Sequence, residues 1–106
     1  MDWLREARWD GEHIHMPLRP WTVEMLYAYV HEAAHVALRH NDVKPGLIDG
    51  ADVRHEVAAW QLALCWIAPA HQQRARALAA VCLRGYWVEA LCNYGDDEIS
   101  IQETTL

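Results

Sequence analysis

Lysine is nearly absent from this chain: Lys44 is the only one beside eight arginines, set against fifteen acids, for a formal charge of −6. No basic stripe runs through the sequence. Nucleic-acid binding therefore lacks electrostatic support, and an anionic membrane surface is disfavoured for the same reason. Cysteine is scarce and odd in number. Cys65, Cys82 and Cys92 each sit in an apolar, helix-like setting with no C-x-x-C spacing. That argues against a disulfide framework and a cysteine zinc knuckle, and suits buried thiols in a reducing compartment. Long apolar runs are missing too. The longest, Val57 to Ala70, is interrupted by Gln61 and Pro69, too short to span a bilayer, and reads as a core helix. The start, Met1 to Glu6, lacks the basic segment and apolar run of a secretory leader, so the expected location is the cytoplasm. No internal repeat or low-complexity segment is present.

What is there is a chain of 106 residues, 53% apolar. It is enough for one domain, residues 1–106, with a modest core. Trp3 to Trp9 and Glu12 to Leu18 read as two short strands joined at Asp10-Gly11, with Ile14, Met16 and Leu18 alternating against His13, His15 and Pro17. A helix is expected from Trp21 or Thr22 to about Arg39 or His40. Thr22 would be its N-cap, Glu24 an acid in its first turn, and Val23, Leu26, Val30, Ala33, Ala34 and Ala37 its apolar positions. Turn signals at Lys44-Pro45-Gly46 and Asp49-Gly50 mark a loop. A second helix, capped by Asp52, should run to about Ala68. It is apolar nearly all round and therefore central, and Pro69 stops it. A third should cover residues 70–83, with Arg74 and Arg76 on a solvated face. Gly85 should break it, and Trp87 to Tyr94 should add a short fourth helix with Gly95 as its C-terminal stop. The acidic tail has Ile99 and Ile101 in alternation, as in a late strand. The six tryptophans are expected in core and rim packing, and His13 and His15 in solvent.

The first helix carries His31-Glu32-Ala33-Ala34-His35. At about 100° per residue the two histidines project from one face a turn apart, so their imidazoles can bind one metal from two directions. Glu32 lies beside them, able to take a proton from a metal-bound water. This is the physical content of HExxH, the zinc-hydrolase pattern. The two alanines let another backbone come close.

A catalytic zinc usually has three protein ligands. Glu56 is the best candidate for the third. It lies in the first turn of the second helix, on the face continued by Ala59, Trp60, Ala63, Leu64 and Ile67. A carboxylate on an inward face is expensive unless partnered, and a metal supplies the partner. The competitors are weaker. His40, five residues past His35, would face away on a continued helix. His55 points about 100° from Glu56. Asp49 and Asp52 suit turn and cap positions. The metzincin extension is excluded, because Leu38 and Asn41 stand where its Gly and third His would be.

Together these segments resemble the ImmA/IrrE family of zinc metallopeptidases, a gluzincin-like group. Its members carry HExxH, a short connection, and then a helix of the form E-x-E-A-n-x-F-A-x-x-L-L-x-P. Here Glu56, Ala59, Ala63 and Pro69 fall in register, while Leu62, Trp66 and Ile67 keep the apolar character. Ala58 and Trp60 stand where the pattern has its second Glu and its Asn. The resemblance covers roughly residues 12–69. It implies a zinc ion, peptide-bond hydrolysis, in some members of a single regulatory protein, and an edge strand able to pair with extended substrate.

The expected fold is thus α+β and mostly helical: a short N-terminal β-hairpin packed on three to four helices, a minimal zincin-like domain with its active site between the first two helices. Zn²⁺ would be held by His31, His35 and Glu56, with Glu32 as general base. Tyr86, Tyr94 and His71 are candidate donors to the oxyanion. The expected partner is a peptide or protein substrate. The alternative is a non-catalytic zinc-binding regulatory or interaction protein that keeps the peptidase fold.

Overall fold

The structure, a computed structural model, describes residues 6–40 and 48–94, the last without its side chain. The start of the first expected strand, the Lys44-Pro45-Gly46 turn, the Gly95 stop, the tail strand at Ile99 and Ile101, and the Tyr94 side chain lie outside the described residues.

The hairpin is shorter than the alternation suggests. β1 (Arg8–Trp9) pairs antiparallel with β2 (Ile14–His15), Arg8 opposite His15 and Trp9 opposite Ile14. The connection is therefore Asp10 to His13, four residues around the Asp10-Gly11 pair. Asp10 organises it: its Oδ1 accepts from the amides of Glu12 and His13 at 2.8 and 2.7 Å, and Gly11 takes φ +100°. That φ is open to glycine at no steric cost. Asp10 also binds the His15 ring, so His15 is half-buried while His13 is exposed. The ladder stops before Pro17, which has no amide to give it. Leu18, beyond the point where Pro17 is expected to end the strand or leave it at an edge, is fully exposed.

α1 (Val23–Ala37) begins where Thr22 Oγ1 accepts the Met25 amide at 3.3 Å. It ends two to three residues earlier than its apolar spacing suggests. Leu38 closes it and Arg39 turns left-handed at φ 59°. The amides of Arg39 and His40 then donate back to the carbonyls of Val36 and His35, both at 3.0 Å. This is the Schellman arrangement, here with an arginine where glycine is usual.

α2 (Gly50–Trp66) starts earlier than expected, and its N-cap is Asp49, not Asp52. Asp49 Oδ1 accepts the Asp52 amide at 3.1 Å, and Asp52 Oδ2 accepts the Asp49 amide at 2.9 Å. In this capping box Asp52 does the work usually given to Glu or Gln. Past α2, Pro69–His71 form a 3₁₀ turn, and α3 (Gln72–Tyr94) follows. Gln72 Nε2 donates to the carbonyls of Leu64 and Ile67 at 2.6 and 2.8 Å, satisfying acceptors that the end of α2 leaves open.

α3 is one helix of 23 residues, not two. Gly85 does not break it. Ala75, Leu78, Ala79, Leu83 and Ala90 are buried, with Cys82, Tyr86 and Trp87 partly so. These positions form one continuous stripe at helical spacing. Burial along that stripe outweighs the roughly 1 kcal/mol that a mid-helix glycine costs.

α2 packs against both other helices, which meet each other less. Its buried residues Val53, Val57, Ala59, Trp60, Ala63 and Leu64 form the middle of the core with Met25, Tyr27, Ala28 and Ala34 of α1. Trp21 and Trp66, by contrast, are about half exposed. The ion pair of Glu24 with Arg74 links α1 to α3 at the surface. No described helix is long and apolar enough to cross a membrane.

Two substitutions test this backbone reading. A Cβ at Gly85 would meet nothing within 4 Å, so Gly85→Ala should raise stability in denaturant titration by about 0.5–1 kcal/mol. Arg39→Gly should also stabilise, by about 1 kcal/mol, because it removes the left-handed strain of a side-chain-bearing residue. A loss of stability in either variant would contradict the corresponding assignment.

Candidate metal centre

His31 and His35 occupy successive turns of α1 on the face turned toward α2, and both are buried. Glu56 faces them from the first half of α2 and is also buried. The small residues Ala28 and Ala34 on α1, and Ala59 and Ala63 on α2, are buried too. They leave room for the helices to approach closely enough for a glutamate to reach across.

The result is three atoms around one point. Glu56 Oε2 is 2.8 Å from His31 Nε2 and 2.6 Å from His35 Nε2, and the two nitrogens are 3.1 Å apart. Ligands about 2.0–2.1 Å from a tetrahedral zinc stand roughly 3.3–3.4 Å from one another. The His31–His35 edge therefore needs to open by about 0.2–0.3 Å, and the two Glu56 edges by about 0.5–0.8 Å, to admit an ion. The donor set suits one: two imidazole nitrogens and a carboxylate, in a site that must balance the carboxylate's charge. His31, Glu32 and His35 form a buried group that could hold a metal ion, their ligand atoms all within 4.8 Å of one another. Two carboxylates thus lie within reach of the histidines. Glu56 is the one in hydrogen-bond contact with both Nε2 atoms. Glu32 Oε1 lies 3.4 Å from the outer nitrogen of His31, Nδ1.

Electrostatics follow from that crowding. Burial disfavours a charged His31, but the Glu56 and Glu32 carboxylates outweigh it and push His31 up to about 9. Burial also disfavours an ionised Glu56, yet the two imidazoles hold it well below the usual carboxylate range. The pocket wants positive charge beside Glu56, and a proton or a cation can supply it.

A second row of histidines stands behind the first. His35 Nδ1 is 2.9 Å from His40 Nδ1, and the His40 ring stacks on His55 with centroids 4.2 Å apart and planes 13° from parallel. A helix continued to His40 would turn it away. The Schellman turn at Arg39 brings it back, and nothing in the residue types there announces that turn. On the other side, Trp60 stacks on His31, centroids 4.3 Å apart and planes within 8°. The tryptophan that departs from the family pattern is thus packed flat against a candidate ligand.

Beside the cluster opens a cavity of about 530 Å³, lined by His31, Glu32, Glu56, Trp60, Cys82 and Tyr86 among others. Of the candidate oxyanion donors with described side chains, Tyr86 lines it. His71 lies on the 3₁₀ turn, where its Nδ1 is 2.6 Å from the Tyr27 hydroxyl, and it is not part of the wall. Ala7 and Arg8 reach the cavity, so its hairpin wall comes from β1 and not from the Ile14 to Leu18 strand expected there.

Cys82 gives an independent probe of this wall. Burial, and then the Glu56 and Glu32 charges, push its thiol up to about 12. Cys65 and Cys92 are exposed. Iodoacetamide at pH 8 should alkylate Cys65 and Cys92 in the folded protein, and Cys82 about 100-fold more slowly until the chain unfolds. Equal labelling of all three in peptide mass spectra would contradict the arrangement. Compared with protein-family models, curated proteins and solved structures, the chain matches none.

Proposed function

We propose that this protein is a zinc-dependent metallopeptidase of a minimal, gluzincin-like kind, resembling the ImmA/IrrE enzymes. The observation that carries the reading is the meeting of His31 Nε2, His35 Nε2 and Glu56 Oε2 at one buried point beside an open cavity.

In this reading His31, His35 and Glu56 hold the ion. Three protein ligands are what a catalytic zinc usually carries, its fourth position being kept for water or substrate. When bound, zinc lowers the pKa of water to about 7 and polarises a carbonyl. Glu32, on the cavity wall, takes the proton of the water that attacks the scissile carbonyl. It returns that proton to the amine nitrogen as the carbon–nitrogen bond breaks. Tyr86, on the same wall, is the candidate donor to the oxyanion. Trp60 keeps the His31 ring from rotating. The cavity volume falls within the range of small-ligand sites and suits a short stretch of extended peptide.

One observation favours a second reading, a zinc-binding regulatory or interaction protein without turnover. Glu32 Oε1 stands 3.4 Å from His31 Nδ1. A carboxylate there can serve simply to orient a metal-bound imidazole, as outer partners do in structural sites.

Glu32→Gln separates the two. As a peptidase the protein should purify with stoichiometric zinc, and Glu32→Gln should keep the zinc while lowering cleavage of a fluorogenic peptide mixture by about 10²- to 10⁴-fold. His35→Ala should lose the zinc. Cleavage unchanged by Glu32→Gln would remove Glu32 as base. A zinc content unchanged by His35→Ala, or no zinc in either protein, would remove the metal site.

A further inference from the structure

We infer that His40 is a positioning residue for the metal centre: with the ion in place its Nδ1 accepts the Nδ1–H of His35, which leaves the Nε2 lone pair of His35 for the ion between Glu56 and His31. This inference rests on the metal-site reading above.

With an ion held between His31, His35 and Glu56, the geometry leaves little choice of protons. The two Nδ1 atoms are 2.9 Å apart, so one ring donates and the other accepts. If His35 is to offer a lone pair at Nε2, the nitrogen 2.6 Å from Glu56 Oε2, its proton must sit at Nδ1. His40 Nδ1 must then be bare, and its own proton lies on Nε2. Fixing one ligand's tautomer therefore fixes the ring behind it. His31 has a comparable partner in Glu32, 3.4 Å from its outer nitrogen. Each candidate imidazole ligand thus has an acceptor at its back, the usual way of holding a metal-bound histidine.

His40 is itself held from three directions. Its amide donates to the His35 carbonyl at 3.0 Å, closing the turn at the end of α1. Trp9 Nε1 donates to its carbonyl at 3.1 Å, so the hairpin grips the same residue. His55, one position before Glu56, stacks on its ring. The hairpin, the end of α1 and the start of α2 all meet at this residue. That is a costly arrangement for a surface loop, and a fitting one for a residue that must present one nitrogen in one orientation.

The test compares wild type with His40→Phe, which keeps a flat ring for His55 but removes the acceptor, and His40→Asn, whose side-chain carbonyl oxygen can stand near the lost Nδ1. Zinc affinity is read by competition with a chromophoric chelator. His40→Phe should bind zinc about 10- to 100-fold more weakly, and His40→Asn should recover most of that loss. In the zinc-loaded wild type, nitrogen-15 NMR of the histidine rings should place the proton of His35 on Nδ1 and that of His40 on Nε2. Affinity within about twofold of wild type for His40→Phe would overturn the inference. So would a wild-type spectrum with the proton on His40 Nδ1, even if neither variant folds. A wild type that binds no zinc would overturn the metal-site reading itself, a result distinct from tight binding that ignores His40.

Discussion

A buried glutamate held between two histidines is the contact on which the rest of this small protein turns. Glu56 is 6% exposed, and its Oε2 touches the inner nitrogens of both His31 and His35. An ionised carboxylate cannot be buried cheaply, and removing one partner of a buried pair typically costs about 3–5 kcal/mol. The α1–α2 crossing is thereby fixed in register as well as in angle. A slip of α2 by one residue would swing Glu56 some 100° away and leave its charge unpartnered in the core.

Local devices then set where each helix stops, and so what surrounds the cluster. Thr22 and the Asp49–Asp52 capping box start α1 and α2. Gln72 closes the end of α2 and opens α3. The left-handed Arg39 has the largest consequence. It ends α1 two residues after His35's own turn and sends His40 back against His35. A helix end, usually a matter of a few backbone bonds, here delivers a side chain to the centre. The hairpin takes part as well, through Trp9 on the His40 carbonyl and Ala7 and Arg8 on the cavity wall.

Periodicity and spacing made much of this legible in advance. The i, i+4 pair on a helix with its own apolar stripe placed His31 and His35 together. The inward face of α2 singles out Glu56 from spacing alone. Both readings work because the side-chain direction of a helical residue follows from its number. The misreadings share an opposite cause: each depended on where regular structure ends or persists. Arg39 takes a conformation its type disfavours, so His40 looked turned away. Gly85 sits in a stripe whose burial overrides its poor propensity. Asp52 resembles an N-cap but is the third residue of the helix that Asp49 caps. The second strand, expected from Glu12 to Leu18, is cut to Ile14–His15. The Trp60–His31 stack depends on the α1–α2 crossing, which no single helix pattern contains.

The central claim is that His31, His35 and Glu56 converge on one metal ion. Anomalous diffraction at the zinc absorption edge, from crystals grown with zinc, tests it most directly. The account predicts one strong peak about 2.0–2.2 Å from His31 Nε2, His35 Nε2 and Glu56 Oε2. A peak bonded by Glu32 with Glu56 outside its shell, or no peak between α1 and α2, would contradict it.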